Sequence, residues 1–457
     1  MALTPVEIQL IEKHKRELES RSMTDELMLR YYLGQQRVEH LGMAIPPQMR
    51  RFLVIANWCR TVVDTTNARQ QVRSLILPGE DTADPRLRAI WDASNMSAHV
   101  AMFNIDRMVY GRAFLSVGTN AQDRSLPWVR VESPREMSAF VDPLREVVTS
   151  AARFYGYKDG QPTYVTLYLP DYTVWIQRGE GGRWSEVERD EHRLGAVPVV
   201  MHLNRRLSGS WAGESQMTDI IPFVDSAARS LTNLQFAQEA HGVPSLWATG
   251  VARGDFVDAD GKPVPQFEAY FDAIKILSSK DAKWGQFNAA DLKNFETALE
   301  TYGKQAAIVT GFPARYFGLL SVNPPAEGAI RADEAQLVRG VEAQNEQIGM
   351  TLGWAGALAL RFATGDWVTG NRVRVEWFDP ATPTVSQRED ALAKRRAAGV
   401  LSMEGYWDEL GWSEARKAKE RQYLAQEREA LMDPYLRQVQ AKEAAASDAD
   451  AEPSVVG

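Results

Sequence analysis

Three long segments with helical periodicity dominate this sequence, and the two interruptions between them constrain the fold most strongly. Residues 213–241 repeat apolar side chains at i, i+3, i+4 and i+7, which predicts an amphipathic helix that stops at Gly242 and Pro244. Residues 291–310 and 326–362 predict the second and third helices. A chain with helices of this length must cover each apolar stripe with another element.

The first interruption is a compact insert, residues 243–288, that is rich in aromatic side chains. A unit this small cannot bury all of them alone, and aromatic anchors are characteristic of protein interfaces. An autonomous small core is the alternative. We therefore predict an interface that contains Trp247, Phe256, Phe267, Tyr270 and Trp284.

The second interruption is the passage VTGFPARYFGLLSVNPPAEG, residues 309–328. Pro313 lacks a helical N–H and disfavours helical backbone at Phe312, so the second helix is expected to end there. Two adjacent prolines, at 324 and 325, then delay the third helix. The predicted loop tip carries no charge and consists of Leu320, Ser321, Val322 and Asn323. In the alternative interpretation, 320–325 is a plain surface turn and the preceding side chains Tyr316, Phe317 and Leu319 pack in a core.

The remaining segments predict a mixture of helices and strands. Residues 4–78 and 85–110 have mostly helical periodicity, and Thr4, Pro5 and Glu7 form a capping-box pattern. From Tyr110 the period changes to two, and short β-branched and aromatic runs predict strands. These runs are YGRAFLSVGT, LPWVRVES, AARFYGY, PTYVTLYL, YTVWIQ and VPVVMHL, with VRVEWFDPATPT as a further strand after the third helix. The predicted fold class is α+β.

No catalytic, metal-binding or cofactor-binding pattern accompanies these elements. Gly261 and Lys262 are followed by Pro263 rather than by the Ser or Thr of a phosphate-binding loop, and no two of the six histidines have ligand spacing on a helix. The Asp258–Gly261 stretch begins like a calcium loop, but Phe267 stands where the bidentate Glu is required, so a hairpin turn is favoured. The sequence predicts neither an enzyme nor a cofactor.

Charge and cysteine content exclude further classes. The net charge of −8 does not provide the broad basic face with which most proteins bind duplex DNA. A single cysteine, Cys59, excludes an internal disulfide and indicates a reducing cytoplasm. No apolar run is long enough to cross a bilayer, and the first residues lack the order of a secretory signal.

In this order of elements the chain resembles the portal proteins of tailed bacteriophages, in the branch common among long-tailed phages. The residues that carry the resemblance extend from 31 to 384. They are YYLGQ (31–35), NWCRTVVDTTNAR (57–69), YGRAFLSVG (110–118), VESPREMSAFVDP (131–143), VVMHLNR (199–205), the stretch 214–241, VTGFPARYFG (309–318) and VEWFDPATPT (375–384).

The resemblance implies a portal fold that assembles as a dodecameric ring at one capsid vertex, where it forms the channel for DNA packaging and ejection. The implied regions are a wing (1–212), a first stem helix (213–242), a clip (243–288), a second stem helix (289–310), a tunnel loop region (311–325), a long kinked helix with a returning wing strand (326–385), crown helices (386–433) and a disordered tail (434–457). The uncharged tip at 320–323 would then face DNA.

The implied partners are double-stranded DNA, bound without sequence preference, the terminase large subunit, the head-completion adaptor, and the major capsid and scaffolding proteins. The implied location is the virion, after assembly in the host cytoplasm. One alternative is another ring protein of the head–tail junction, an adaptor or a minor capsid protein. A weaker alternative is a cytosolic enzyme built from dispersed carboxylates, Asp219, Asp225 and Glu239.

Overall fold

The computed structural model divides the chain into two compact units, Met1–Ala381 and Thr382–Gly457. The residues it describes are 3–37, 54–80, 82–120, 122–179, 181–242, 246–249, 283–286, 292–319, 327–368, 373–381, 385–412 and 414–431. The clip residues Phe256, Phe267 and Tyr270, the tip Leu320–Asn323 and the tail 434–457 lie outside these ranges.

The first helix begins as the sequence predicts. Helix α1 spans Pro5–Leu33, and its N-terminus has the capping box: the Glu7 carboxylate accepts from the Thr4 backbone N–H at 2.7 Å, and the Thr4 hydroxyl accepts from the Glu7 N–H at 3.3 Å. Gly34 ends the helix in the left-handed conformation, with φ of 69°. Local signals alone therefore fix both ends of this helix.

The prediction of mostly helical structure through residue 78 is wrong in its last part. Helix α2 spans Trp58–Ala68, and strand β1 follows at Val72–Ile76. Strand β1 pairs antiparallel with β12, Arg374–Trp377, so that Leu75 lies opposite Val375. Because this partner is remote in the sequence, no local pattern could show that the segment would be a strand.

Two antiparallel sheets form the strand-rich region after helices α3 (Pro85–Ala93) and α4 (Met96–Tyr110). The three-stranded sheet has the order β3-β2-β9, with β2 at Arg112–Gly118, β3 at Trp128–Glu132 and β9 at Val199–Leu203. The five-stranded sheet has the sequential order β4 (Met137–Asp142), β5 (Val147–Lys158), β6 (Gln161–Tyr168), β7 (Thr173–Arg178) and β8 (Trp184–Asp190).

All six predicted strand runs of this region are confirmed, whereas β4 and β8 were not predicted. Strand β8 reads WSEVERD and lies at an edge of its sheet, where charged residues discourage pairing with another chain. Helix α1 packs on the five-stranded sheet, where Ile11 joins Phe154 and Leu167 in one buried cluster.

Three long helices follow the sheets, as predicted. They are α5 (Ile221–Gly242), α6 (Lys293–Thr310) and α7 (Glu327–Thr364). Between α5 and α6, strands β10 (Leu246–Thr249) and β11 (Lys283–Gln286) pair antiparallel. Helix α5 begins at Ile221 rather than at 213, because the preceding backbone bonds to other segments: the Glu214 N–H donates to the Asn204 carbonyl at 2.9 Å and the Gln216 N–H to the Met108 carbonyl at 2.8 Å.

The described residues of the second unit form three helices, α8 (Val385–Ala397), α9 (Met403–Glu409) and α10 (Glu414–Leu431). Arg421 on α10 donates to both oxygens of Glu404 on α9, each at 2.7 Å. Trp407 and Trp412 stack with ring centroids 5.8 Å apart. The α+β class is thus confirmed, and none of the described helices is long and apolar enough to cross a membrane.

Candidate functional site

The predicted tunnel loop is flanked by two described segments, one that ends at residue 319 and one that begins at residue 327. Helix α6 ends at Thr310, and Gly311 adopts the left-handed conformation with φ of 70°. A short 3-10 turn, Ala314–Phe317, follows, and Gly318 is also left-handed, with φ of 85°. The predicted helix end before Pro313 is therefore confirmed, and Gly311 provides its cap.

Apolar side chains hold this entry into the loop against the helices. Phe312 and Phe317 are buried in one cluster with Ala306 of α6 and Val341 of α7. The Phe317 ring also meets Trp58 edge-on, with centroids 5.7 Å apart. The aromatic residues before the tip thus pack in a core, as the alternative interpretation expected for Phe317, whereas the placement of the tip residues stays a prediction.

A cluster of charged and polar residues then joins the segments before and after the loop. We call Arg69, Arg315, Tyr316 and Glu334 the loop-base cluster. The Glu334 carboxylate lies on α7, is 7% exposed, and forms ion pairs with Arg315 and, at 3.2 Å, with Arg69. It also accepts from the Tyr316 hydroxyl at 3.3 Å. Residues before and after the loop therefore converge on one buried carboxylate.

Arg69 connects the loop-base cluster to the β1–β12 strand pair. Its guanidinium donates to the Tyr316 hydroxyl at 3.1 Å and to the Pro380 carbonyl at 2.8 Å. Arg69 directly follows α2, and Pro380 follows β12. One arginine thus ties the base of the loop to the start and to the end of the β1–β12 pair.

The three long helices contribute side chains to one shared apolar core. Val224 of α5, Ala306 of α6 and Val341 of α7 are all buried there, together with Val62 of α2. On the first and third long helices, the predicted apolar stripes are confirmed, because many of their residues are buried in a core. These members are Met217, Ile220, Val224, Ala228, Leu337, Val341, Ile348, Leu352 and Leu358.

One glycine of α7, Gly353, allows a close approach of the segment that follows it. An added Cβ there would lie 2.2 Å from the Val373 carbonyl oxygen, whereas one at Gly349 would lie 3.7 Å from Val375, an ordinary contact distance. Gly340, in contrast, has no neighbour within 4 Å. Gly353 therefore has a packing role that a residue with a Cβ could not fill without displacing Val373.

Arg107 on α4 is the most buried arginine among the described residues of the first unit, and the sequence analysis did not predict its role. Arg107 is 1% exposed, and its guanidinium donates to Asn204 at 2.8 Å, to Gln70 at 2.6 Å and to Gln344 at 2.9 Å. Burial lowers the pKa of Arg107 to about 9. Its position among the apolar residues of α4 was the one signal available.

A second buried arginine fastens α1 to the sheets. Arg112 at the start of β2 donates to both oxygens of Asp25, at 2.9 and 2.7 Å, and to the Pro134 carbonyl at 2.9 Å. Burial raises the pKa of the nearby Asp106 to about 7, although the positive charge of Arg112 opposes this rise.

The carboxylates of the enzyme alternative have separate structural partners. Asp219 pairs with Arg205 at 2.7 Å, and Asp225 accepts from the Tyr31 hydroxyl at 3.0 Å, while burial raises the pKa of Asp225. The side chain of Glu239 lies outside the described residues. Burial also raises the pKa of the Cys59 thiol to about 12, which keeps it protonated and unreactive. The described part of the chain brings together no group of residues able to hold a metal ion.

The buried polar side chains described above connect helices, sheets and loop ends to one another. The chain matches the family described as "Phage portal protein, SPP1 Gp6-like" over residues 11–432, and it belongs to that family. The resemblance seen in the sequence is thereby confirmed.

Two curated relatives are named "Portal protein", from Mycobacterium phage D29 and Mycobacterium phage L5. Each is 33% identical over 416 residues, which cover 88% of this chain and 85% of the relative. Similar solved chains include one from "Virion of native gene transfer agent (GTA) particle", with a TM-score of 0.44, 16% identity, and coverage of 82% of this chain and 96% of that one. Another, from "Neck of empty GTA particle computed with C6 symmetry", has a TM-score of 0.45, 15% identity, and coverage of 85% and 98%.

Proposed function

We propose that this portal-family chain forms a closed ring, a dodecamer, whose central channel passes DNA into and out of a phage head. The observation that carries the proposal is the loop-base cluster. It fixes both ends of the segment 320–326 on the core where the three long helices meet. A segment anchored in this way can project into a channel without loosening the subunit.

The uncharged tip fits this role for an electrostatic reason. Each subunit of a ring repeats the same loop, so a single lysine at the tip would add a phosphate contact from every subunit. Such contacts would hold DNA and slow its passage. A tip of Leu320, Ser321, Val322 and Asn323, in a chain with a net charge of −8, offers DNA neither strong phosphate contacts nor base readout.

The clip is proposed to dock the neighbouring subunits, the terminase large subunit and the head-completion adaptor. In the described strands of this region, Trp247 lies opposite Gly285 and Ala248 lies opposite Trp284. Trp247→Ala together with Trp284→Ala should weaken the ring or its docking. If both changes leave ring formation and adaptor binding intact, the clip assignment is wrong.

The wing is proposed to contact the major capsid and scaffolding proteins, with assembly in the host cytoplasm and final location in the virion. Particle mass in solution tests the ring directly. A closed ring should have about twelve times the mass of one 51.2 kDa chain, whereas a small oligomer would exclude the proposed channel.

DNA packaging tests the tip. Val322→Lys should leave the ring assembled but slow packaging, and the defect should ease as salt rises, because counterion release drives the added contacts. Val322→Gln is the matched uncharged control and should package normally. Normal packaging of the lysine variant at low salt would place the tip outside the channel, and loss of assembly would place Val322 in a core.

A further inference from the structure

The first unit contains a large open groove that the loop-base cluster does not use. It runs between one face of α7, strand β12 and the turn after β1, and it encloses about 1320 Å³. Its floor and walls include Met350, Trp354, Trp377 and Phe378. Met350 is 72% exposed and Phe378 is 48% exposed, although apolar side chains of this size are usually covered.

The rim of this groove is acidic. Glu80, Glu342, Glu346 and Asp379 line it, against the single cation Arg374. Glu342 and Glu346 lie one turn apart on the same face of α7, where their like charges repel each other. Neither forms an ion pair with another side chain in the described parts of the chain. Acidic walls with an apolar floor fit a segment that carries both arginine and large apolar side chains.

The same chain has a segment of this chemistry on a different element. Residues 124–130, RSLPWVR, lead into and along β3, which is an edge strand of its sheet. Asp123 accepts from the Ser125 N–H at 2.9 Å and hydroxyl at 2.6 Å, which holds the turn from which exposed Arg124 projects. The exposed Arg130 guanidinium lies 5.5 Å from the centre of the half-buried Trp128 ring.

The acidic groove and the segment 124–130 are different surfaces of the chain, and their charges are complementary. Among the described residues, neither Arg124 nor Arg130 is ion-paired, so both are available to a partner. A contact between two different surfaces of identical chains is heterologous, and repeated heterologous contacts close into a ring when the rotation allows it.

We infer that the groove of one subunit receives the segment 124–130 of a second copy of this chain, with the arginines facing Glu342 and Glu346. This inference rests on the proposed ring and specifies one of its contacts. Trp128 would then meet the exposed apolar floor. DNA is unsuited to the groove because acidic walls repel phosphate.

Charge exchange tests this contact, with particle mass of the full chain in solution as the readout. Glu342→Arg with Glu346→Arg should reduce the fraction of rings at least tenfold at low salt, and Arg124→Glu with Arg130→Glu should do the same. Combining all four changes should restore most of the rings, since the reversed charges attract again. Glu389→Arg with Glu427→Arg, two exposed residues of the second unit, is the control with the same change of charge and should keep the rings.

The outcomes distinguish failure of the proposed contact from failure of the proposed function. If the unchanged protein forms no rings, the proposed function fails. If it does form rings but either reversal leaves them intact, or the four changes together fail to restore them, the contact is wrong. Unchanged far-ultraviolet circular dichroism shows that the variants fold. Should one reversal fail this check, Glu342→Gln with Glu346→Gln is tested instead and should lower the salt concentration that dissociates the ring; no shift would overturn the contact.

Discussion

The loop-base cluster predicts an unequal response to two adjacent substitutions on α7. Glu334 is 7% exposed and binds Arg69, Arg315 and Tyr316. The neighbouring Asp333 is half exposed and, among the described residues, forms an ion pair with Arg315 alone, at 2.8 Å. Removing one partner of a buried ion pair costs about 3–5 kcal/mol, because the other charge stays buried without compensation. Exposed pairs contribute about 0.2–1 kcal/mol.

The loss of unfolding free energy expected for Glu334→Ala depends on the bonds that Arg69 and Arg315 keep without Glu334. Arg69 keeps its bond to the Pro380 carbonyl, and Arg315 keeps Asp333, so the free energy of unfolding should fall by about 3 kcal/mol, at the lower end of that range. Glu334→Gln retains one acceptor oxygen and should lower it by about 1–2 kcal/mol. Asp333→Asn is the control and should lower it by less than about 1 kcal/mol.

Hydrogen exchange of the backbone amides measures this effect where it should occur. Loss of Glu334 should speed exchange at residues 306–318 and at the start of α7 and leave the five-stranded sheet unchanged, because that sheet packs with α1 in a separate core. Denaturant unfolding gives the total change. Equal effects of the Glu334 and Asp333 substitutions, on exchange and on stability, would refute the convergence of both loop ends on one buried carboxylate.

Three further predictions concern other parts of the chain. Gly353→Ala should destabilise the first unit in thermal unfolding, because its Cβ would lie 2.2 Å from the Val373 oxygen, whereas Gly340→Ala meets open space and should stabilise by up to about 1 kcal/mol. His14 lies between the Ser138 and Ser150 hydroxyls, and burial lowers its pKa from 6.5 to about 3. The stability that depends on neutral His14 is therefore complete above pH 6.5 and is lost toward pH 3 at about 1.4 kcal/mol per pH unit. His14→Gln should flatten the pH dependence of denaturant unfolding between pH 7 and 4; an unchanged slope would show that His14 already titrates normally. A chain that ends at Lys442 should still reach the mass of the full ring, and failure to do so would make the polar tail structural.

The sequence by itself determined the features that depend on neighbouring residues. The capping box at Thr4 and Glu7, the periodic stripes of the long helices, the helix stop before Pro313 and the alternating strands are all local patterns, so each could be predicted where it stands. The short motifs between residues 31 and 384, taken in their order, carried the resemblance to portal proteins that the family match confirms.

Only the tertiary structure decided which distant residues meet. Strand β1 forms because β12 pairs with it, the four members of the loop-base cluster come from three separated segments, and Arg107 finds its acceptors on other elements. Gly353 likewise gains its role from Val373. Such contacts depend on how the elements pack, and a local sequence pattern does not identify which distant residue will be the partner.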